Sequence, residues 1–306
     1  MRRRLYPLVG RLTTVFDSLR PLLATHRYPL HSPAGAGCDR TGLAAADGGP
    51  LTTRWQDGDV IFPRYPSLAH SFWRAQELSI FHRHLARLTP PRLDFGAGDG
   101  SFASLLLSRV EIGVDTDAAA LAIARRRAVY DRLVESTNAA VPLPGGVAGS
   151  IFSNSVLEHV GELDAVLTEL ARLLRPGGAL VFTVPVRRYS DHLRLFFGER
   201  ATRRINAEAS HRNLLEEAEW LTRLAHHGFR PLVVQQYQPD WFTFWYRMLR
   251  FLGPRALGRA PGIQQAVWGV CGARLVEMVR RSIHETDRGA NVFVVAERAG
   301  GQETRR

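Results

Sequence analysis

"LDFGAGDGSF", residues 93–102, decides how the rest of the chain is read. An apolar run carries a carboxylate, Asp94, and then breaks into Gly96, Gly98 and Gly100, spaced G-x-G-x-G. That order predicts a strand delivered into a tight turn, with a helix following and a nucleotide-like ligand at the turn. A dinucleotide fingerprint would be G-x-G-x-x-G, and Ser101 stands where its third glycine belongs. A Walker loop needs a lysine, and the chain has none. Asp94 inside an apolar strand needs a donor to accept from. Asp115 ends the next apolar run about 20 residues on, where a carboxylate can accept from both hydroxyls of a ribose. Asp117 is the better N-cap for the alanine-rich helix that follows, which leaves Asp115 for the ligand.

Outward from the turn, short apolar runs alternate with helical segments, the pattern of a parallel sheet. The strands are expected at 92–96, 110–115, 132–136, 149–154 and 179–185. Between them "ELDAVLTELARLLRPGG" presents Leu163, Val166, Leu167, Leu170, Leu173 and Leu174 on one helical face, and stops at Pro176-Gly177-Gly178. Upstream, "SFWRAQELSIFHRHLARL" spaces Phe72, Leu78, Phe81 and Leu85 as a helix face and ends at Thr89-Pro90-Pro91. Downstream of a variable segment come the helix "LLEEAEWLTRLAHHGF", the strand "RPLVVQQY" and, much later, a last strand at 290–297.

The run from Leu93 to Pro185 resembles the core of a class I S-adenosylmethionine-dependent methyltransferase of the type 11 branch. The phrases that carry the likeness are "VPLPGGVAGSIFSNSVLEHV" (141–160) and "ELARLLRPGGALVFTVP", where Arg175 stands at a position in which lysine is common. The resemblance implies an α/β, Rossmann-like, doubly wound sheet of seven mostly parallel strands with an antiparallel last strand. Around it the chain divides into an N-terminal extension (1–70), the core (71–237), a helical insertion before the last strand (238–289), and that strand with a tail (290–306).

The resemblance also implies roles. Asp94 and the backbone at Gly96, Ala97 and Gly98 would hold the methionyl end of S-adenosylmethionine, a carboxylate facing its ammonium and turn amides facing its carboxylate. Asp115 would bind the ribose, with Thr116 beside the adenine. Relatives usually place an aspartate before "LP"; here "ESTNAAVP" lacks it, and Asn138 is the substitute, with Thr137 the alternative. Asn154 and Ser155 would face the space between cofactor and acceptor, and Trp73, Arg74 and Glu77 would cover the cofactor. His159, just past the fourth strand, and His211, before the last core helix, are the candidate proton acceptors. Each has a structural alternative: His159 as a shared structural histidine, His211 as part of a helix start capped by Ser210 or Asn213.

The 306 residues carry a net charge of +11, which suggests nucleic acid or an anionic surface, but all 40 basic residues are arginine. That uniform bias points to GC-rich coding of a bacterial chain rather than a phosphate-binding face, so nucleic acid is disfavoured as a partner. The "D/N-P-P-Y/F" motif of N-methylating nucleic-acid enzymes is absent, the fourth strand ending in "SNSV". Cys38 and Cys271 lie far apart, outside any CxxC, as expected for thiols in a reducing cytoplasm. No apolar run reaches the roughly 18 residues of a membrane span. In the insertion "PDWFTFWYRMLRFLGPRALGR" crowds aromatic residues among Arg247, Arg250, Arg255 and Arg259. It is expected to lie on the inner membrane surface or to lid a greasy substrate, the alternative being packing on the domain or a partner. The expected function is methyl transfer to a small-molecule or lipid-linked acceptor. An RNA or protein methyltransferase, or a non-catalytic cofactor-binding subunit, are the alternatives. Sequence alone leaves the oligomeric state open.

Overall fold

The computed structural model describes residues 67–251, 261–282 and 286–300. The N-terminal extension up to residue 66 with its Cys38, the stretch 252–260 with Arg255 and Arg259, and the tail 301–306 lie outside the described residues.

In chain order the elements are α1 (Leu68–Arg83), β1 (Arg92–Phe95), α2 (Ser101–Leu106), β2 (Val110–Asp115), α3 (Ala118–Arg127), β3 (Tyr130–Glu135), β4 (Ala148–Asn154) and α4 (Leu163–Leu173). They continue with β5 (Leu174–Pro185), α5 (Arg187–Ala209), α6 (Glu217–His226), β6 (Phe229–Tyr237), α7 (Asp240–Phe251), α8 (Pro261–Ser282) and β7 (Asn291–Arg298). The seven strands run β3-β2-β1-β4-β5-β7-β6, and β7 is antiparallel to both β5 and β6. The alternating pattern predicts a parallel sheet, and this is the doubly wound form with an antiparallel last strand that the resemblance implies.

Alternation along the strands explains why both faces are covered. Ile151, Leu180, Phe182, Val292 and Val294 point into one apolar cluster, with Leu163, Leu167 and Leu170 of α4 and Trp220 of α6. Their neighbours Phe152, Val181, Phe293 and Val295 point to the other cluster, formed with α1, α2, α7 and α8. The order of the strands reverses beside β1, between β1 and β4, so their carboxyl ends open a crevice there.

Three local departures have physical causes. β5 begins at Leu174 rather than 179, because Leu174 already pairs with Ala148 across a register shift and Gly177 takes a left-handed φ of 75° within the strand. The segment after Pro185 is the long helix α5, whose weak amphipathicity and non-helical Gly198 (φ 76°) hide it from periodicity. α6 is capped by Glu216 in a capping box with Glu219, whereas Ser210 ends α5 in a left-handed conformation (φ 55°). Asp117 caps α3 as expected, accepting from the amides of Ala119 and Ala120.

The insertion packs on the domain. Phe242 of α7 stacks on Phe72 of α1 with ring centroids 4.2 Å apart, and Trp245, Tyr246 and Leu249 are buried beside it. Among the described residues the exposed large apolar side chains are Ile123, Leu195, Phe196 and Val270, so only one belongs to the insertion. The aromatic run therefore serves the core, and no described helix is long and apolar enough to cross a membrane.

Candidate functional site

β1 ends in a turn whose geometry only glycine tolerates. Gly96 has φ +85°, and a Cβ there would lie 2.3 Å from Val156 Cγ2. Gly98 (φ +52°) has no atom within 4 Å of its would-be Cβ, so the turn leaves open space on the side where a ligand would lie. Asp94 is buried beneath it and accepts from Tyr130 Oη at 2.6 Å. Burial pushes its carboxyl up to about 7, with Asp115 adding to the rise and the Tyr130 hydrogen bond opposing it. Tyr130 in turn is pushed up by burial and by the Asp94 charge, so it remains a donor.

Asp115 closes β2 half-buried, accepting from the amide of Gly98 at 2.7 Å and of Asp117 at 2.9 Å. Those two bonds aim the carboxylate at the glycine turn and leave its remaining lone pairs for hydroxyl donors. Thr116 follows, exposed, and the half-buried Asn138 lies in the turn after β3, which the Ser136 hydroxyl closes by donating to the carbonyls of Thr137 and Ala140. The turn amides behave differently from expectation. Those of Gly96 and Ala97 donate to the Val114 carbonyl, that of Gly98 to Asp115, and that of Gly100 to Ala97. They are committed within the protein, so a cofactor carboxylate needs another donor.

A second group of polar side chains gathers where α1 meets the end of β4. Glu77 of α1 is fully buried and accepts from Trp73 Nε1 (2.6 Å), Asn154 Nδ2 (3.0 Å), Ser155 Oγ (2.8 Å) and Arg74. Arg74 also donates to Ser155 Oγ at 3.0 Å, and Thr183 Oγ1 donates to Asn154 Oδ1 at 2.7 Å. One carboxylate thereby fastens α1 to the end of β4. The expected covering residues Trp73, Arg74 and Glu77 meet Asn154 and Ser155 in a single network.

Beside this network lies a cavity of about 220 Å³. Its lining includes Ser155, Glu158, His159 and His211 together with Arg74, Tyr189, Tyr246, Arg247 and Arg250. The Nε of Arg247 is buried with no hydrogen-bond partner among the described residues. α7 thus contributes Tyr246, Arg247 and Arg250 to the wall of the cavity.

His159 and His211 come together although 52 positions separate them in sequence, their rings 5.3 Å apart. The Glu158 carbonyl accepts from the amides of Arg212 and Asn213, and the Asn213 side chain donates to the carbonyls of Leu157 and Val160 at 2.9 and 2.8 Å. Asn213 therefore clamps two loops and is not a helix cap. His159 Nδ1 lies 3.3 Å from the Ser210 carbonyl, and burial lowers the affinity of both imidazoles for a proton, His211 to about 4. Sequence reasoning passed over Tyr130 and Glu158. Glu158 is buried and pushed up to about 8 by desolvation, and the signal for it was a lone charge between Leu157 and Val160 in an apolar phrase.

The constellation of Asp94, the glycine turn and Asp115 on a 3-2-1-4-5-7-6 sheet can be set beside known proteins. Residues 93–182 match the family described as "Methyltransferase domain". Trans-aconitate 2-methyltransferase of Paracidovorax citrulli is 30% identical over 131 residues, 41% of this chain and 48% of that protein. Malonyl-[acyl-carrier protein] O-methyltransferase of Yersinia pestis is 34% identical over 93 residues, 30% of this chain and 35% of that protein. The chain thus spans half or less of the length of these relatives. Among solved structures, an S-adenosylmethionine-dependent methyltransferase from Thermotoga maritima superposes with a TM-score of 0.51 at 20% identity, covering 76% of this chain and 91% of that one, a likeness of fold. Residues 93–182 thus carry a methyltransferase domain of the class I S-adenosylmethionine-dependent kind, and the carboxylates of Asp94 and Asp115 beside the open space at Gly98 suit such a cofactor's ammonium and ribose.

Proposed function

We propose that this protein transfers the methyl group of S-adenosylmethionine, by direct in-line displacement, to an acid that is a small molecule or lipid-linked. The observation that carries the reading is the cationic, aromatic-walled cavity beside Ser155, at the end of the strand next to β1. When bound, the cofactor supplies an electrophilic methyl on sulfur with a neutral thioether as leaving group, so what the protein must provide is alignment and the exclusion of water.

Asp94 would pair with the cofactor's ammonium and Asp115 with its ribose hydroxyls, flanked by Thr116 and Asn138. Arg74, held between Glu77 and Ser155, takes over the carboxylate from the committed turn amides. On the acceptor side Arg247 and Arg250 present guanidinium groups, while Trp73, Tyr189 and Tyr246 offer apolar surface. An ionised acid needs no proton removed, so the general-base role expected of His159 and His211 is not required for it. The names of the two relatives, for trans-aconitate and malonyl-[acyl-carrier protein], favour an acid as well.

Calorimetry with S-adenosylmethionine, S-adenosylhomocysteine and NAD tests the cofactor, and binding of NAD in preference would overturn the reading. Transfer of labelled methyl to a panel of carboxylic acids, alcohols and amines tests the acceptor. Incorporation into alcohols or amines but never into acids would refute the acid assignment.

A further inference from the structure

One cluster beside the acceptor cavity has no task in the reaction as just described. Glu158, His159 and His211 each offer one ligand atom, and these atoms all lie within 4.8 Å of one another. Two of the three residues carry buried polar atoms without a hydrogen-bond partner among the described residues, Glu158 Oε2 and His211 Nδ1. The Glu158 side chain is only 3% exposed, so this oxygen is shut away from bulk water, and all three residues line the cavity. A buried acceptor of that kind is costly unless something completes it.

The surroundings fix the ligand geometry. If His159 Nδ1 carries the proton toward the Ser210 carbonyl, its Nε2 holds a free lone pair, and that nitrogen lies 3.6 Å from Glu158 Oε1. A tetrahedral ion with bonds of about 2.1 Å wants its donors about 3.4 Å apart, close to this spacing. A backbone carbonyl behind a ligating imidazole is the outer-shell arrangement that orients metal-bound histidines. The loop carrying His211 is held against the turn carrying Glu158 by two backbone and two side-chain hydrogen bonds through Arg212 and Asn213. Two imidazoles and one carboxylate suit a cation of borderline softness better than magnesium or calcium, which prefer oxygen alone.

We propose that Glu158, His159 and His211 bind a divalent cation of the zinc class at the edge of the acceptor cavity, with its remaining positions open to an acceptor oxygen. The inference goes beyond the methyl-transfer reading and is tested separately from it. The 306-residue chain is stripped with chelator, dialysed and titrated with zinc chloride alone by calorimetry, with cobalt chloride as an optical probe. The expected result is one zinc per chain with about micromolar affinity or better. Cobalt should give the visible absorption of a low-coordinate nitrogen and oxygen site. Glu158→Gln and His211→Asn should each weaken zinc binding about 100-fold or more, beyond the 10–100-fold seen for outer-shell changes. Glu158→Gln preserves shape, so it serves should His211→Asn not fold, and circular dichroism checks both. Absence of stoichiometric binding, or variants that bind zinc as the wild type does, would overturn the proposal. Failure to bind S-adenosylmethionine would instead count against the methyltransferase reading and leave the zinc result to stand or fall alone.

Discussion

Replacing Asp94 by asparagine should make the ligand-free protein more stable and the cofactor complex weaker. The Asp94 carboxyl keeps its proton up to about pH 7 in the folded protein, mainly because it is buried. In the unfolded chain the same group ionises near 3.9, a difference of about three units, or about 4 kcal/mol. The sign follows from proton linkage. Below about pH 4 both states hold the proton and the group's contribution is fully present. Between pH 4 and 7 only the unfolded chain releases it, so stability falls, and above 7 the loss is complete. Asparagine never ionises and its side-chain oxygen still accepts from Tyr130. The stability of Asp94→Asn relative to wild type should therefore climb over that window, reaching about 4 kcal/mol at most near pH 8. The cofactor's ammonium loses its charged partner, worth about 1.5–3 kcal/mol, or roughly 10–150-fold in affinity. Urea unfolding of both proteins at pH 5, 6, 7 and 8, with calorimetry of S-adenosylmethionine binding, reads both effects. Because every other titrating group is shared, the difference between the two proteins isolates Asp94. A difference that stays flat from pH 5 to 8 would refute the burial argument, and unchanged affinity would refute the ammonium contact.

Asp115→Ala should lower S-adenosylmethionine affinity by about 2 kcal/mol or more, two hydroxyl bonds at about 1 kcal/mol each, and unchanged calorimetric affinity would remove it from the ribose site. Gly96→Ala should cost about 2–4 kcal/mol in urea unfolding, from a left-handed φ and a Cβ overlapping Val156. Adding Val156→Ala should recover only the steric share, so full recovery would show that the backbone is not strained. Phe242→Ala should cost about 3–5 kcal/mol, since the ring is fully buried and stacked on Phe72. A loss below 1 kcal/mol by thermal or urea unfolding would mean that α7 is not part of the core.

What could be read from the sequence was what is local. The glycine turn, Asp94 within its strand, Asp115 at the end of the next and Asp117 as a cap all follow from residues a few positions apart, and all stand where they were expected. The seven-stranded, doubly wound sheet and its antiparallel last strand came with the resemblance, whereas the strand order is read from the structure. What stayed hidden depends on partners distant in sequence. The donor to Asp94 is Tyr130, which lies 36 positions on and looked like the tail of a helix. The turn amides seemed available because only the fold brings the Val114 carbonyl and the Asp115 carboxylate to them. The aromatic crowd of the insertion reads equally as surface or core until α1 is set against it. His159 and His211 were both singled out, but their meeting depends on Asn213 reaching the carbonyls of Leu157 and Val160.

The placement of α7 between β6 and β7 has an evolutionary consequence. The residues suited to the cofactor come from α1 and from β1, β2, β3 and the turns after them, whereas Arg247, Arg250 and Tyr246 enter from a stretch between the last two strands. The β6–β7 ladder closes whatever that stretch contains. On the proposed function, a change of acceptor asks for substitutions in this one stretch, with a ring kept at position 242 to lie on Phe72, and for none in the glycine turn.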